Sequence, residues 1–195
     1  MSQPTIQTPR LRLRPWEAED LPFFAEMNAD PHVMEYLPSV LTPAESDAIV
    51  SRIVEHFDRH GFGLWAVKVV GMAPFIGFTG LSVPSFQAHF TPCVEIGWRL
   101  ARDHWGKGYA TEAAKAAIIF GFREMKLDQI VSFTVKNNFR SRRVMERLGM
   151  TCRPEDDFEH PSLAVGHRLR PHVLYRLSRT DAEPSTVVVA PTQAF

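Results

Sequence analysis

The chain has 195 residues, 45% of them hydrophobic, which suits one domain with its own core. Lys and Arg (22) balance Asp and Glu (22) and are scattered along the chain, so the basic footprint of a nucleic-acid binder is absent. Two cysteines, Cys93 and Cys152, give neither metal spacing nor a disulfide framework, and the lack of a signal core or an apolar run of roughly 18 residues leads us to expect a soluble, cytoplasmic protein.

LRLRPW (Leu11–Trp16) alternates apolar and basic residues and predicts a half-buried strand ended by Pro15. A helix is expected from about Ala18 to Asn28, with Leu21, Phe24, Ala25 and Asn28 on one face. Two prolines between Ala29 and Leu41, Pro31 and Pro38, mark an irregular loop. Thr42-Pro43-Ala44-Glu45 then sets a cap, a first-turn proline and a capping-box glutamate in order. The helix that follows presents Ile49, Val50, Ile53, Val54 and Phe57 at helical spacing, and Gly61 can stop it.

LWAVKVV and FIGFTGLSV, joined by the turn GMAP, read as a hairpin, and CVEIGWRL (Cys93–Leu100) as the next strand. Through ARDHW that strand reaches Gly106-Lys107-Gly108 and a helix from Tyr109 to Met125. IVSFTV (Ile130–Val135) is a buried-type strand. NNFRSRRVMERLGM makes a short helix capped by Asn138, with Val144, Met145 and Leu148 inward and Gly149 as its stop. HVLYRLSR is a last strand, and the segment from Asp181 carries no pattern, so a disordered tail is expected over 181–195. Helices alternate with strands only in the second half, which predicts a mixed sheet of the α+β class.

The glycine turn opens a helix, where free N–H groups suit a phosphate or pyrophosphate. It is not a P-loop: Ala101 stands where the first glycine belongs, and Gly108 stands where a hydroxyl should follow the lysine. A dinucleotide fingerprint lacks its third glycine, the position being Thr111. His56 and His60 stand at i, i+4, but Phe57 replaces the glutamate of a zinc-protease motif and no third ligand is evident, so no metal is expected.

From Thr8 to Arg179 the chain resembles the GNAT superfamily of acetyl-CoA-dependent N-acetyltransferases, in the branch of the ribosomal-protein N-terminal acetyltransferases. TPRLRLRPWEAEDL, VEIGWRLARDHWGKGYATEA, NNFRSRRVMERLGM and HVLYRLSR carry the likeness. Asp103 departs from the Gln or Arg usual at the head of that family's phosphate loop. The resemblance implies one domain over 1–180. Its sheet would be mixed and mostly antiparallel, of about six or seven strands, splayed in the middle and flanked by about four helices.

It also implies a site. Acetyl-CoA would lie with its pantetheine along Trp98, Arg99 and Leu100 and its pyrophosphate within Trp105, Gly106, Lys107, Gly108, Tyr109, Ala110 and Thr111. Asn138 would contact the pantetheine, and Arg142 or Arg143 the 3′-phosphate. Ser141 would serve the departing thiolate. Glu95 alternates with Val94 and Ile96, so it faces the acceptor side and is the candidate base, acting through water, with a structural ion pair as the alternative. His32, Met34 and Tyr36 are candidates for the acceptor pocket, as is the acidic stretch Glu155, Asp156, Asp157 and Glu159.

The acceptor is then an amine: the α-amine of a protein, a polyamine or an antibiotic. A module that binds acyl-CoA without turnover is the alternative from another class. The enzyme would be a monomer or homodimer, with neither nucleic acid nor membrane as partner.

Overall fold

The computed structural model describes residues 3–181. Of the expected tail, all but Asp181 lies outside the described residues. In chain order the elements are β1 (Ile6–Gln7), β2 (Leu11–Arg14), α1 (Asp20–Ala29), α2 (Pro43–His60), β3 (Leu64–Val69), β4 (Ala73–Ser82), β5 (Glu95–Leu100), α3 (Tyr109–Arg123), β6 (Gln129–Val135), α4 (Phe139–Arg147), β7 (Thr151–Cys152), β8 (Phe158–Glu159) and β9 (Pro171–Ser178). The strands form one sheet in the order β1-β2-β3-β4-β5-β6-β9-β7, with β8 on β9. All pairings are antiparallel except β5 with β6.

The six longer strands are those expected. The count rises to nine because β1, β7 and β8 are two residues each, too short for an alternating pattern to register in sequence.

The start of α2 is built as its sequence requires. The Thr42 N–H donates to Glu45 Oε2 at 2.8 Å, the Glu45 N–H donates to Thr42 Oγ1 at 3.3 Å, and Gly61 closes the helix in the left-handed region at φ 74°. Its inward face is Val50, Ile53 and Phe57; Val54, expected inward, is exposed. Helix α1 buries Phe24, Met27 and Asn28, while Leu21 and Ala25 are only half-buried. Its first residue, Asp20, is also buried and takes a two-pronged hydrogen bond from Arg14 at 2.6 and 2.7 Å.

Alternation along the strands sorts the core. Val67, Ile76, Ile96 and Leu100 pack with Ala113, Ala117 and Phe120 of α3 in the main core. Ala66, Phe75 and Phe78 meet Phe24 and Met27 of α1 in a second cluster. A third cluster, Phe90, Val131 and Leu174 with Phe133 and Phe158, lies at the other end of the sheet. Between the second and third clusters the sheet opens.

Candidate active site

Strands β5 and β6 pair at one position, Glu95 opposite Val131, where the Val131 N–H donates to Val94 O at 2.9 Å. One residue further on, the Ser132 hydroxyl donates to Ile96 O at 2.9 Å. Beyond it β6 no longer accompanies β5. Peptide groups alternate sides along a strand, so the backbone groups of Trp98 and Leu100 turn, like those of Val94 and Ile96, toward the gap. Trp105 Nε1 donates to Leu100 O at 2.8 Å; among the described residues the N–H and C=O of Trp98 have no partner across the gap, which leaves them to a ligand that can pair like a strand. The gap is part of a cleft of about 800 Å³.

At one end of the cleft lies the glycine turn. Gly106 and Gly108 have φ 74° and 81°, conformations that favour glycine, and Gly108 starts α3 with no side chain capping it. The free N–H groups of the first turn therefore meet the cleft, which Gly106, Gly108, Tyr109, Ala110 and Thr111 all line. A Cβ on Gly106 would touch nothing within 4 Å, so the space before it is open. His104 Nδ1 is buried there without a hydrogen-bond partner. Burial, then nearby Lys107, lowers the His104 pKa against the opposing charge of Asp103. Open N–H groups, room at the glycines and the cleft-lining cations Arg143 and Arg147 fit a pyrophosphate-bearing ligand.

The turn is braced from behind. Arg10 donates from Nε to Glu112 Oε2 at 2.6 Å, from its backbone to Glu112 Oε1 at 3.1 Å, and from Nη1 to Lys107 O at 3.0 Å. Its guanidinium also lies 4.8 Å from the Tyr109 ring centre. Thr8 Oγ1 adds a 2.6 Å bond to Glu112. Burial alone would raise the Glu112 pKa, but the bonds from Thr8 and Arg10 outweigh it and the carboxyl is held below its ordinary range. Sequence reading found no role for Arg10, because its partner is 102 positions away. Lys107 is exposed and does not line the cleft, contrary to expectation.

Glu95 lines the cleft at the last β5–β6 pairing, on the side of β5 opposite buried Ile96. Protein packed around it strips its carboxyl of water and raises its pKa to about 8, a hydrogen bond with Ser82 opposing the shift. Part of the residue still reaches the cleft, so it can exchange a proton there. Burial, then the charge of Glu95, raises the Cys93 thiol to about 11, which disfavours the thiolate that a nucleophile needs.

Across the cleft, Asn138 caps α4 by accepting from the Ser141 N–H at 3.2 Å. Its Nδ2 donates to Thr134 Oγ1 at 3.0 Å and to Ser141 Oγ at 3.1 Å. Both amide hydrogens are thus used within the protein, and Asn138 orients Ser141 rather than offering a donor to the cleft. The Ser141 oxygen accepts, so its own O–H is free to donate. Arg143 lines the cleft, whereas Arg142 is turned inward to Tyr175 Oη and Lys136 O.

Arg99 departs from expectation. Its backbone faces β4 in register with Phe78, so it has no main-chain group for the gap. Its side chain, on the same strand face as Glu95, reaches Asn28 Oδ1 at 2.6 Å and lies 5.4 Å from the Phe78 ring centre.

Tyr36 joins Val33 and Leu37 in the cleft wall; His32 is exposed and outside it, and Met34 is buried beneath. Arg140 clasps this loop to α4, paired with Glu35 at 2.6 Å and stacked on Trp105 and Tyr36. The acidic stretch is committed elsewhere: Asp156 to Arg176, Asp157 to Lys136 and Glu159 to Arg170, none of the acids lining the cleft. The opposite wall instead carries His160 and His172, ring centres 5.0 Å apart, their pKa values lowered by burial. Sequence reading singled out the stretch that ends at His160 for its acids and gave neither imidazole a role. His56 is tied by Phe62 O at 2.9 Å and by the Val83 N–H at 3.0 Å, which uses both ring nitrogens structurally.

A sheet that parts beside an uncapped glycine-turn helix leaves a cleft shaped for an extended, phosphate-bearing ligand, and comparison with known proteins identifies the chain as an acyltransferase. The chain belongs to the GNAT family: the acetyltransferase (GNAT) domain matches residues 10–151. It is 33% identical over 159 residues to the FsC-acetyl coenzyme A-N(2)-transacetylase of Aspergillus fumigatus, a match covering 77% of this chain and 66% of that one. A GNAT-family acetyltransferase from Bacillus anthracis superposes with a TM-score of 0.74 at 28% identity, over 90% of this chain and 99% of that one. Ribosomal-protein-S5-alanine acetyltransferase from Vibrio fischeri shares the fold, with a TM-score of 0.71 at 18% identity over 92% and 99%. Among the described residues no helix is long and apolar enough to cross a membrane.

Proposed function

We propose that this acetyltransferase moves the acetyl group of acetyl-CoA to a primary α-amine, on a peptide or an amino-acid-like molecule. Acetyl-CoA, when bound, supplies the acetyl group as a reactive thioester. The open backbone of Trp98, the turn from Trp105 to Thr111 and Arg143 would hold it. The observation that carries the reading is Glu95, a carboxyl of pKa about 8 standing where the sheet parts.

That value selects among amines. An α-amine titrates near 7.7–8.0, so passing its proton to Glu95 is nearly even, whereas a lysine amine near 10.4 is uphill by about 3 kcal/mol. Glu95 would take the proton through water, and the free O–H of Ser141 would donate the hydrogen bond that a departing sulfur needs. Cleft charge argues in the same direction. Among the described residues lining it, Glu95 is the one acid, against Arg99, Arg140, Arg143 and Arg147. A polyamine or polycationic antibiotic would meet repulsion there. The Aspergillus relative, named as an acetyl coenzyme A-N(2)-transacetylase, is consistent with transfer to nitrogen.

The test is acetyl-CoA consumption against a panel of free-N-terminus peptides, N-blocked lysine peptides, polyamines and aminoglycosides. Turnover of the α-amines is expected. Turnover confined to lysine side chains or polycations would overturn the assignment.

A further inference from the structure

The acceptor-facing side of β5 carries Glu95, Gly97 and Arg99 in alternation, because Ile96, Trp98 and Leu100 point into the core beside α3. Gly97 leaves the strand bare between the two charged side chains. Arg99 is a half-buried guanidinium lining the cleft, and no carboxylate pairs with it among the described residues. Among the described residues its contacts are the side-chain Oδ1 of Asn28, through Nη1, and the face of Phe78, and no acceptor there meets Nε or Nη2. Burial lowers its pKa to about 10 with no opposing anion, the mark of a desolvated cation held without its counter-charge. A buried guanidinium is costly unless paired, and its planar fork matches a carboxylate.

We infer that Arg99 is the acceptor's anchor: the amine presented to Glu95 belongs to a molecule that also carries a carboxylate, which Arg99 receives. This rests on the reading of Glu95 as the base. Four residues of strand separate the two positions, about 13 Å between their Cα atoms. A bridging water at Glu95 and the hydrogen-bond length at Arg99 take up part of that span, so the molecule extends roughly 10 Å from amine to carboxylate, the length of an extended tripeptide. The carboxylate is either a free C-terminus or an acidic side chain near the start of a longer chain.

Glycine peptides of two, three and four residues, each as free acid and C-terminal amide, separate charge from length while every amine stays an α-amine. The free acid is expected to exceed its amide at least 10-fold in kcat/KM, most strongly at three residues. Calorimetry with CoA present should show the same preference in acceptor binding. In Arg99→Gln the acid-to-amide ratio should collapse toward one, and in Arg99→Lys it should fall but persist. An amidated peptide with glutamate at position three, preferred over its glutamine twin while free acids gain nothing, places the carboxylate on a side chain. Turnover of acid and amide alike at every length, with no preference for the glutamate peptide, overturns the Arg99 assignment and leaves acetyl transfer standing. A preference that survives in Arg99→Gln overturns it too. No turnover of any amine by protein that binds acetyl-CoA overturns both readings.

Discussion

Helices α2 and α3 start in opposite ways. Helix α2 closes its own end: Thr42 and Glu45 exchange hydrogen bonds that satisfy both of their backbone N–H groups within the chain. Helix α3 begins at a left-handed glycine with no capping side chain, and the effort around it goes into bracing the turn through Arg10 and Glu112 while leaving the N–H groups open. The same contrast holds between strands. β3 and β4 pair along nearly their whole length, whereas β5 meets β6 at one residue and parts. Unsatisfied groups cost stability where they lie, so their concentration in one cleft marks the part of the molecule that a ligand completes.

The largest expected effect comes from closing the α3 start. Gly108→Val forces a β-branched residue to φ 81° and brings its Cβ to 3.4 Å from Arg10 Nη2. CoA affinity should fall on the order of 100-fold or more, about 2.7 kcal/mol, by calorimetry on folded protein. Undiminished affinity would mean that the open turn is not the cofactor's seat.

Glu95→Gln comes next, and it carries two readouts. As the base its loss should lower kcat about 100-fold and alter the ascending limb of the pH–rate profile near pH 8, leaving the part set by the acceptor amine's own titration. The second readout is stability. The folded carboxyl keeps its proton up to about pH 8, while the unfolded one loses it near 4.3. Folded protein therefore binds more protons across that window, and this group makes stability fall as pH rises from about 4.3 to 8. Glutamine abolishes that slope, so the variant should gain stability over the parent progressively across the window. Parallel curves would show that the carboxyl is not perturbed.

Ser141→Ala is smaller. Helix α4 should survive, since alanine is the better helix former and Asn138 still caps through the backbone N–H of residue 141. We expect kcat to drop roughly 10- to 100-fold with CoA affinity little changed. Wild-type turnover would remove the hydroxyl from the chemistry.

What could be read in advance follows the same division. Self-satisfying features are local and were legible: Thr42-x-x-Glu45, the stop at Gly61, the alternation that sets Glu95 against Ile96. The glycine turn was legible too, but what braces and surrounds the opening depends on distant partners. Arg10 meets Glu112 across 102 positions, and Arg99 meets Asn28 across 71. His160 and His172 line the cleft because β8 and β9 fold beside β6, which no spacing in the sequence announces. The acidic stretch misled for the same reason, since its ion-pair partners Lys136, Arg170 and Arg176 are only found by folding.

The smallest effect tests the other half of the contrast. Thr42→Ala removes the oxygen that accepts the Glu45 N–H, along with the hydroxyl that donates to Glu45 Oε2 at 2.8 Å. The reverse bond from the Thr42 backbone to Glu45 remains, so only half of the box is lost. A cap of this kind contributes about 1 kcal/mol, which in a domain of this size moves the melting temperature by roughly 2–4 °C. Thr42→Ser keeps the oxygen and should restore most of the loss. Because Thr42 is exposed and does not line the cleft, CoA affinity should stay at the parent value in both variants. A melting temperature unmoved by alanine would mean that α2 does not depend on its cap. A loss of CoA affinity comparable to that of Gly108→Val would mean that the two helix starts do not divide scaffold from site.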